Sequence, residues 1–438
     1  MKKKTNSLKK YIKAPLRVKA SMLVMGLGQL CQGQIIKGLL YLMILAAYVV
    51  FLVSTGVRDI AGFFTLGTVE GDAWAGIVGD DSVMMMLKGL IAYAITAFVI
   101  GFWLSNIRDA YDSEMKLRDG KTLPSFPQAV AAFFDKKFYI AALAVPVAGV
   151  VIFSILPIVF MILIAFTNYG GDIVPPRLVD WTGFESFKKL IALKELKQTF
   201  GKILGWNFIW AVCATFVNYF GGLGLALLLN KKCVKGKVFW RSFPIIAYAV
   251  PGFITLLAFK FMFCYGGPIN YYITQAGHKA IGFLDMDAGI KAKLIGLFVN
   301  AWTSIPTSML LATGILSNMN PELNDAAAID GASRWKQFVK ITLPFVIFST
   351  TPVLITSFIG NFNNFGVFYF LRNGLYTDGY FLASDTDLLI NWLYNLTYSN
   401  SYYSIGAAIS LIIFLITSLV SLIVYVNSGA YKKEDTYR

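Results

Sequence analysis

Long apolar stretches recur along the chain and alternate with shorter polar segments. A helix that crosses a bilayer needs roughly 20 consecutive, mainly apolar residues. About eight stretches meet this requirement, and they are residues 36–54, 84–106, 138–166, 203–229, 241–264, 291–317, 345–369 and 404–427. The pattern therefore predicts an all-α polytopic membrane protein with about eight transmembrane helices.

The segment from Met22 to Gln34 is apolar but short, and glycines and glutamines interrupt it. We expect it to lie at the membrane interface or to re-enter the membrane, because it is too short and too polar to span. A basic stretch followed by apolar residues is also typical of a signal peptide. No small-residue cleavage site follows here, so we expect the segment to be retained.

The loop charges predict the orientation, because cytoplasmic loops of membrane proteins are rich in Lys and Arg. Basic residues dominate near the N-terminus, in residues 107–137, in residues 231–241 and in the C-terminal tail, whereas residues 55–83 are mainly acidic. Both termini are therefore predicted to be cytoplasmic. The loop 167–202 is an exception, because it is placed outside although it contains five lysines.

The same pattern divides the chain into four regions. Residues 1–35 are predicted to form a basic cytoplasmic N-terminus with the interfacial or re-entrant segment. Residues 36–137 contain two transmembrane helices and a cytoplasmic loop. Residues 138–430 form a core of six transmembrane helices, and residues 431–438 form a cytoplasmic tail.

Composition supports a membrane protein, since 57% of the residues are hydrophobic and only 14% are charged, against about 25% in soluble proteins. The net charge of +15 could indicate a nucleic-acid partner. The positive residues fall mainly in short loops beside the apolar spans, so we expect no such partner. The chain has one histidine and four cysteines without CxxC spacing, and we expect neither a metal site nor a disulfide framework.

Two kinds of energy-coupling site are missing from the sequence. Gly120-Lys121-Thr122 ends like a phosphate-binding loop, but Met115 stands at the first glycine position and no apolar strand precedes it. We therefore expect a non-catalytic chain without a cofactor of its own. The spans 291–317 and 345–369 contain no carboxylate, which argues against an ion-coupled carrier because such carriers use ionisable groups within the membrane.

The polar segment from Asn320 to Pro344 predicts a short helix, a break and a second helix. Asn320 suits a helix N-cap, with proline at the next position. Gly331 can supply the chain reversal that closes the first helix. Ser333 is a suitable cap for a helix over 334–341, which Pro344 is expected to end.

This segment resembles the EAA signature of binding-protein-dependent importer permeases, E-A-A-x-x-D-G-A followed by F-x-x-I-x-L-P. The matching positions are Ala326, Ala327, Asp330, Gly331, Ala332, Phe338, Ile341, Leu343 and Pro344, and Asp325 stands where the family has Glu. The resemblance implies that the helix before Gly331 docks on a cytoplasmic ABC ATPase dimer, which holds ATP and Mg. Bulky side chains at Ala326 or proline at Gly331 would then uncouple ATP hydrolysis from transport.

The similarity over residues 138–430 is greatest to maltose/maltodextrin permeases of the MalF type. The stretches that carry it include Phe166-Thr167-Asn168-Tyr169, Tyr248-Ala249-Val250-Pro251 and Asn361-Phe362-Asn363-Asn364-Phe365. It implies the architecture of a type I ABC importer permease in the bacterial cell membrane, in a short form without the large extracellular domain. The implied partners are a second permease subunit, an extracellular sugar-binding protein and an oligosaccharide.

Helical spacing predicts a polar site. Asn300, Ser304 and Thr307 share one face of the sixth span, and Gly360, Asn361 and Asn364 lie together on the seventh. Tyr248 and Gly252 line up on the fifth. Amides, hydroxyls and a phenol suit a neutral sugar, and Trp302 or Phe362 could stack on a pyranose ring, but such groups also hydrogen-bond across membrane helices as interhelical contacts.

The family resemblance favours the sugar site over interhelical contacts. Tyr248, Asn300, Asn361 and Asn364 match polar positions of the maltose permease site. Gly252, Ser304, Thr307 and Gly360 differ from it, with Thr307 and Gly360 in place of aromatic rings. Longer maltodextrins are thus the expected substrates.

Three alternatives stay open at this point. The chain could be a permease for another oligosaccharide or solute, or an ion-coupled secondary carrier. It could also be a membrane-embedded glycosyltransferase, which would need clustered acidic residues. The nearest candidates are Asp285, Asp287, Asp385 and Asp387, of which the first two are more simply explained as solvated loop residues.

Overall fold

The computed structural model describes residues 14–72, 74–231 and 233–427. Regular structure in these residues is helical, apart from three isolated β-bridges. Eight helical segments are long and apolar enough to cross a membrane, and they are Ile35–Thr65, Ser82–Arg118, Phe138–Ile164, Lys194–Asn230, Gly252–Gln275, Gly289–Ser317, Arg334–Arg372 and Tyr403–Asn427. The prediction of eight transmembrane helices is confirmed. The basic N-terminal residues 1–13 and the tail 431–438 lie outside the described residues.

The chain divides into two compact units between Gly183 and Phe184. The helices of the first unit are α1 Leu16–Leu23, α2 Leu27–Cys31, α3 Ile35–Phe51, α4 Val57–Thr65, α5 Ser82–Arg118, α6 Phe126–Lys136, α7 Phe138–Val150 and α8 Leu156–Ile164. The π turns Leu52–Gly56 and Val151–Ile155 join α3 to α4 and α7 to α8. Each joined pair forms one continuous transmembrane segment.

The apolar segment before the first span folds into α1 and α2, which are too short to cross a membrane. Gly26 turns the chain between them with a left-handed φ of +91°. Buried amides then fix the turn to α5, because Asn106 accepts from the Gly26 N–H at 3.2 Å and Gln29 donates to the Asn106 carbonyl at 3.1 Å. Gln29 and Gln32, two of the glutamines that interrupt this apolar stretch, therefore attach it to α5.

The second unit contains α9 Glu185–Ala192, α10 Lys194–Asn230, α11 Lys237–Ala249, α12 Gly252–Phe263, α13 Pro268–Gln275, α14 Gly289–Ser317, α15 Glu322–Ile329, α16 Arg334–Gln337, α17 Leu343–Phe362, α18 Gly366–Arg372, α19 Leu389–Tyr394 and α20 Tyr403–Asn427. The long helices α10 and α14 pack along each other. Gly222 permits their close approach, because a Cβ there would lie 2.7 Å from the Ser308 carbonyl carbon.

The fifth predicted span, 241–264, is not a single helix. α11 ends at Ala249, Val250 is extended, and α12 starts after Pro251. Proline has no N–H and disfavours the helical conformation of the preceding residue, which explains the break. The apolar helical segment that meets the length of a span is Gly252–Gln275.

The second helix of the segment 320–344 does not end at Pro344, contrary to the prediction. α16 continues through a π turn, Phe338–Thr342, into α17, where Pro344 is the second residue. A proline ring collides with the carbonyl four residues earlier in a regular helix. The wider π turn lies at that carbonyl, so the helix continues into the seventh span.

Candidate functional site

A cavity of about 530 Å³ lies among α10, α11, α14 and α17 in the second unit. Its walls are formed mainly by amide and hydroxyl side chains. The lining residues are Thr215, Asn218, Tyr219, Tyr248, Asn300, Thr303, Ser304, Thr307, Ser308, Leu311, Val353, Leu354, Ser357, Gly360, Asn361 and Asn364. None of these described lining residues is charged, so the cavity suits an uncharged polar molecule.

Three asparagines of the cavity wall form a chain of hydrogen bonds. The Asn364 amide donates to Asn300 Oδ1 at 3.2 Å, the Asn300 amide donates to Asn361 Oδ1 at 3.4 Å, and the Asn361 amide donates to Thr215 Oγ1 at 3.0 Å. The indole of Trp210 fixes the same region by donating to the Asn361 carbonyl at 3.1 Å. These bonds hold the amides in place between the middle of α14 and the end of α17, and they connect α10, α14 and α17.

Asn218 differs from the other asparagines of the cavity. Its side chain is only 6% exposed, and Oδ1 has no hydrogen-bond partner in the described part of the chain. A buried carbonyl oxygen without a donor costs about 1–3 kcal/mol. Asn218 therefore keeps an unpaired, covered acceptor in the wall of the cavity.

The structure brings seven of the eight predicted site residues to this cavity. They are Tyr248, Asn300, Ser304, Thr307, Gly360, Asn361 and Asn364. Gly252 is not among the lining residues, since it lies beyond the break that separates α11 from α12. The expected stacking role of Phe362 is wrong, because its ring is 1% exposed and packs in the hydrophobic core. The Trp302 ring packs near Phe259 and also lies outside the cavity lining.

The segment between α14 and α17 has the predicted helix, break and helix. Asn320 Oδ1 accepts from the Glu322 N–H at 3.0 Å, but the N-cap of α15 is Pro321 and not Asn320 as predicted. Gly331 has a left-handed φ of +76°, as the predicted chain reversal requires. Ser333 caps α16, since its Oγ accepts from the Lys336 N–H at 3.3 Å.

α15 is a helix without a partner surface among the described residues, because none of its residues is buried. Leu323 and Ala326 are exposed on one face, and Ile329 at its end is 87% exposed. A free surface with such apolar residues is typical of a site that another protein covers.

Comparison with known proteins decides the family. Residues 220–429 match the family model "Binding-protein-dependent transport system inner membrane component". The chain is 32% identical to the maltodextrin transport system permease protein MdxF of Bacillus subtilis over 94% of its own length and 95% of that protein. It is 30% identical to the galactooligosaccharides transport system permease protein GanP of the same organism, over 94% and 97%.

The chain belongs to the binding-protein-dependent permease family. This confirms the family that the 320–344 segment predicted, and it makes the protein a multi-pass permease subunit of the bacterial inner membrane. A solved bacterial ABC transporter involved in import of the polysaccharide alginate has the same fold, with a TM-score of 0.56 and 18% identity. That match covers 68% of this permease and 97% of the other chain.

Sequence reasoning missed the wall of the cavity that α10 provides. Thr215, Asn218 and Tyr219 are spaced i, i+3 and i+4, so they share one face of the fourth span. The same signal that identified the polar face of the sixth span was present here. Tyr219 is also held in place, since its hydroxyl lies 2.7 Å from Thr350 Oγ1 on α17.

Proposed function

We propose that this permease carries neutral oligosaccharides of the maltodextrin class through the α10–α17 cavity. The observation that carries the proposal is an uncharged, amide-lined cavity in which the buried oxygen of Asn218 lacks a donor. A sugar hydroxyl can donate to that oxygen once the Asn218 side chain turns toward the cavity, and it can accept from neighbouring amides and hydroxyls. The names of two full-length relatives, a maltodextrin permease and a galactooligosaccharide permease, support the same class of solute.

Interhelical contact accounts for only part of this arrangement. Asn300, Asn361 and Asn364 bond to one another, as groups that join helices would. Asn218 does not fit that explanation, because its Oδ1 bonds to no neighbouring helix among the described residues. The volume of about 530 Å³ also lies within the range of ligand cavities, about 300–1,000 Å³.

The energy for uptake comes, in this proposal, from an ABC ATPase dimer that binds α15. The exposed Leu323, Ala326 and Ile329 provide an apolar contact surface. Asp325 and Asp330 make no ion pair within the described residues, so both carboxylates are free to meet cations of the ATPase. ATP and Mg would be held by that partner. A second permease subunit and an extracellular sugar-binding protein complete the importer.

The experiment is uptake by proteoliposomes that contain the complete importer, with the binding protein and ATP supplied. We expect the wild type to accumulate maltodextrin only with ATP and the ATPase present. The matched variants are Asn218→Ala in the cavity and Asn427→Ala, which removes an exposed amide from the far end of α20. Loss of the Asn218 contact should lower kcat/KM about twofold to tenfold, since one hydrogen bond contributes about 0.5–1.5 kcal/mol.

Two results would contradict the proposal. Uptake driven by an ion gradient without the ATPase would mean that the chain is a secondary carrier. Wild-type kinetics in Asn218→Ala would mean that the sugar does not contact this wall. Uptake of galactooligosaccharides in place of maltodextrins would keep the site and change the sugar, which is the second candidate function that the similarity to GanP supports.

A further inference from the structure

Four aromatic rings form a continuous group beside the cavity, which we call the aromatic ladder. Phe365 stacks on Tyr369 with centroids 4.4 Å apart, and both rings lie within 5.3 Å of the Tyr394 ring. Tyr398 stacks on Tyr394 at 4.9 Å with an angle of 19° between the rings. A hydrogen bond to Tyr369 raises the pKa of Tyr394 to about 12, so its phenol stays neutral.

The first ring of the ladder belongs to the residue that follows the cavity lining in sequence, and the last ring is exposed. Phe365 directly follows Asn364, a lining residue at the end of the seventh span. The Asn391 amide attaches α19 to this point by donating to the Phe365 carbonyl at 2.8 Å. At the other end, Tyr398 is 76% exposed, in the π turn Asn395–Ser399 between α19 and α20. The predicted topology places this end outside the cell, on the side from which a solute would arrive.

The chemistry of the ladder complements that of the cavity. The cavity has amides and hydroxyls but only two rings in its lining, Tyr219 and Tyr248. The ladder has rings with apolar faces, and tyrosine combines such a face with a polar hydroxyl. No charged residue occurs between Leu388 and Asn427. The exposed Tyr398 offers the uncharged outer ring face of the ladder, which fits the C–H face of a neutral pyranose unit better than it fits an ionic ligand.

We propose that the aromatic ladder is a second sugar subsite, which binds the glycosyl units of a long oligosaccharide that extend outward from the cavity. The inference rests on the proposed function, because it assumes that the cavity holds one end of the same sugar chain. Short sugars fit within the cavity and do not reach Tyr398. The ladder thus favours long substrates over short ones, and it leaves the capacity to transport either intact.

The test compares maltose with maltohexaose in proteoliposomes of the complete importer. Tyr398→Leu removes the outer ring, and Tyr398→Trp keeps a ring at the same place. Tyr272→Leu is the matched control, because Tyr272 is 71% exposed on α13 and does not belong to the ladder. We expect Tyr398→Leu to lower kcat/KM for maltohexaose about threefold to tenfold, as the loss of one stacked ring implies. Maltose kinetics, the Trp variant and the control should match the wild type.

The other outcomes are distinguishable. Equal effects of Tyr398→Leu on both sugars, or no effect on either, would overturn the ladder and leave the proposed function standing. Loss of the second permease subunit from the purified Tyr398→Leu complex would identify the rings as a subunit contact and also overturn it. If the wild type takes up neither sugar, the proposed substrate class is refuted. The proposal of a sugar subsite at the ladder then fails with it.

Discussion

Arg372 at the end of α18 offers a prediction whose size follows from the structure. Its side chain is fully buried, and the guanidinium makes five hydrogen bonds. Nε donates to the Leu284 carbonyl at 3.2 Å, Nη1 donates to Asp385 at 2.9 Å and Thr386 at 3.0 Å, and Nη2 donates to the carbonyls of Asp285 and Met286 at 2.8 and 3.2 Å. One arginine therefore joins the loop before α14 to the loop before α19.

Replacing Arg372 with methionine keeps most of the volume and removes every donor. The Asp385 carboxylate, with a side chain only 18% exposed, then has no ion-pair partner. The carbonyls of Leu284 and Met286 lose their donor, while that of Asp285 keeps the Ala288 N–H. Breaking a buried ion pair in this way costs about 3–5 kcal/mol. Arg372→Lys should cost less, because an ammonium group restores the positive charge. It should still be destabilising, because an ammonium group cannot reach both loops as the planar guanidinium group does.

The assay is thermal unfolding of the purified permease in detergent, followed by intrinsic fluorescence. We expect Arg372→Met to lower the unfolding midpoint by several degrees, with Arg372→Lys in between. Arg177→Met is the matched control, since the exposed Arg177 donates only to the Asp172 carbonyl at 3.3 Å. A midpoint for Arg372→Met equal to that of the wild type would refute the argument, and so would an Arg372→Lys variant as stable as the wild type.

Three further predictions concern other parts of the permease. Gly222→Ala should destabilise the α10–α14 contact, because the added Cβ would lie 2.7 Å from the backbone of Ser308. The control Gly224→Ala should unfold like the wild type, because a Cβ at Gly224 meets nothing within 4 Å. Burial raises the pKa of the Asp387 carboxyl from 3.8 to about 6, so its contribution to stability is present below pH 3.8 and is lost as the pH rises through about 6. In unfolding measurements, Asp387→Asn should therefore gain stability relative to the wild type as the pH rises from 3.8 to about 6. A stability difference that does not change over this pH range would contradict the raised pKa of Asp387. Gly331→Pro should lower the sugar transported per ATP hydrolysed, since proline cannot adopt a φ of +76°, and a ratio equal to that of the wild type would contradict the coupling role.

Much of the fold could be predicted because membrane helices are determined locally. Each span must satisfy its own backbone hydrogen bonds in lipid, so a long apolar stretch is almost obliged to be helical. The spacing of Asn300, Ser304 and Thr307 then gave one wall of the cavity without knowledge of the packing. The hydrogen bond of Asn320 at the start of α15 and the reversal at Gly331 are local in the same sense, and the structure has both.

The features of the fold and of the cavity that the sequence did not predict depend on which helix faces pack against each other. Thr215, Asn218 and Tyr219 have the spacing of a polar face, but spacing alone does not say whether that face meets a cavity or another helix. For Phe362, the position in the sequence suggested the cavity, but the ring lies in the core. It follows the lining residue Asn361, yet the helix directs its ring into the core against Phe208, at a centroid distance of 5.4 Å. Orientation of this kind comes from tertiary packing, which a single sequence does not contain.

The cavity and the coupling segment share two helices, and this bears on how the permease can work. α14 contributes Asn300 to Leu311 to the lining and ends at Ser317, three residues before the segment begins. α17 contributes Val353 to Asn361 and starts directly after the π turn Phe338–Thr342. If α15 binds the ATPase as proposed, its displacement reaches α14 through residues 318–321 and reaches α17 through α16 and the π turn. The π turn is the place where this motion can bend the chain, since π turns mark weak points in helices at functional sites. Substitutions there should change coupling and leave sugar binding unaltered.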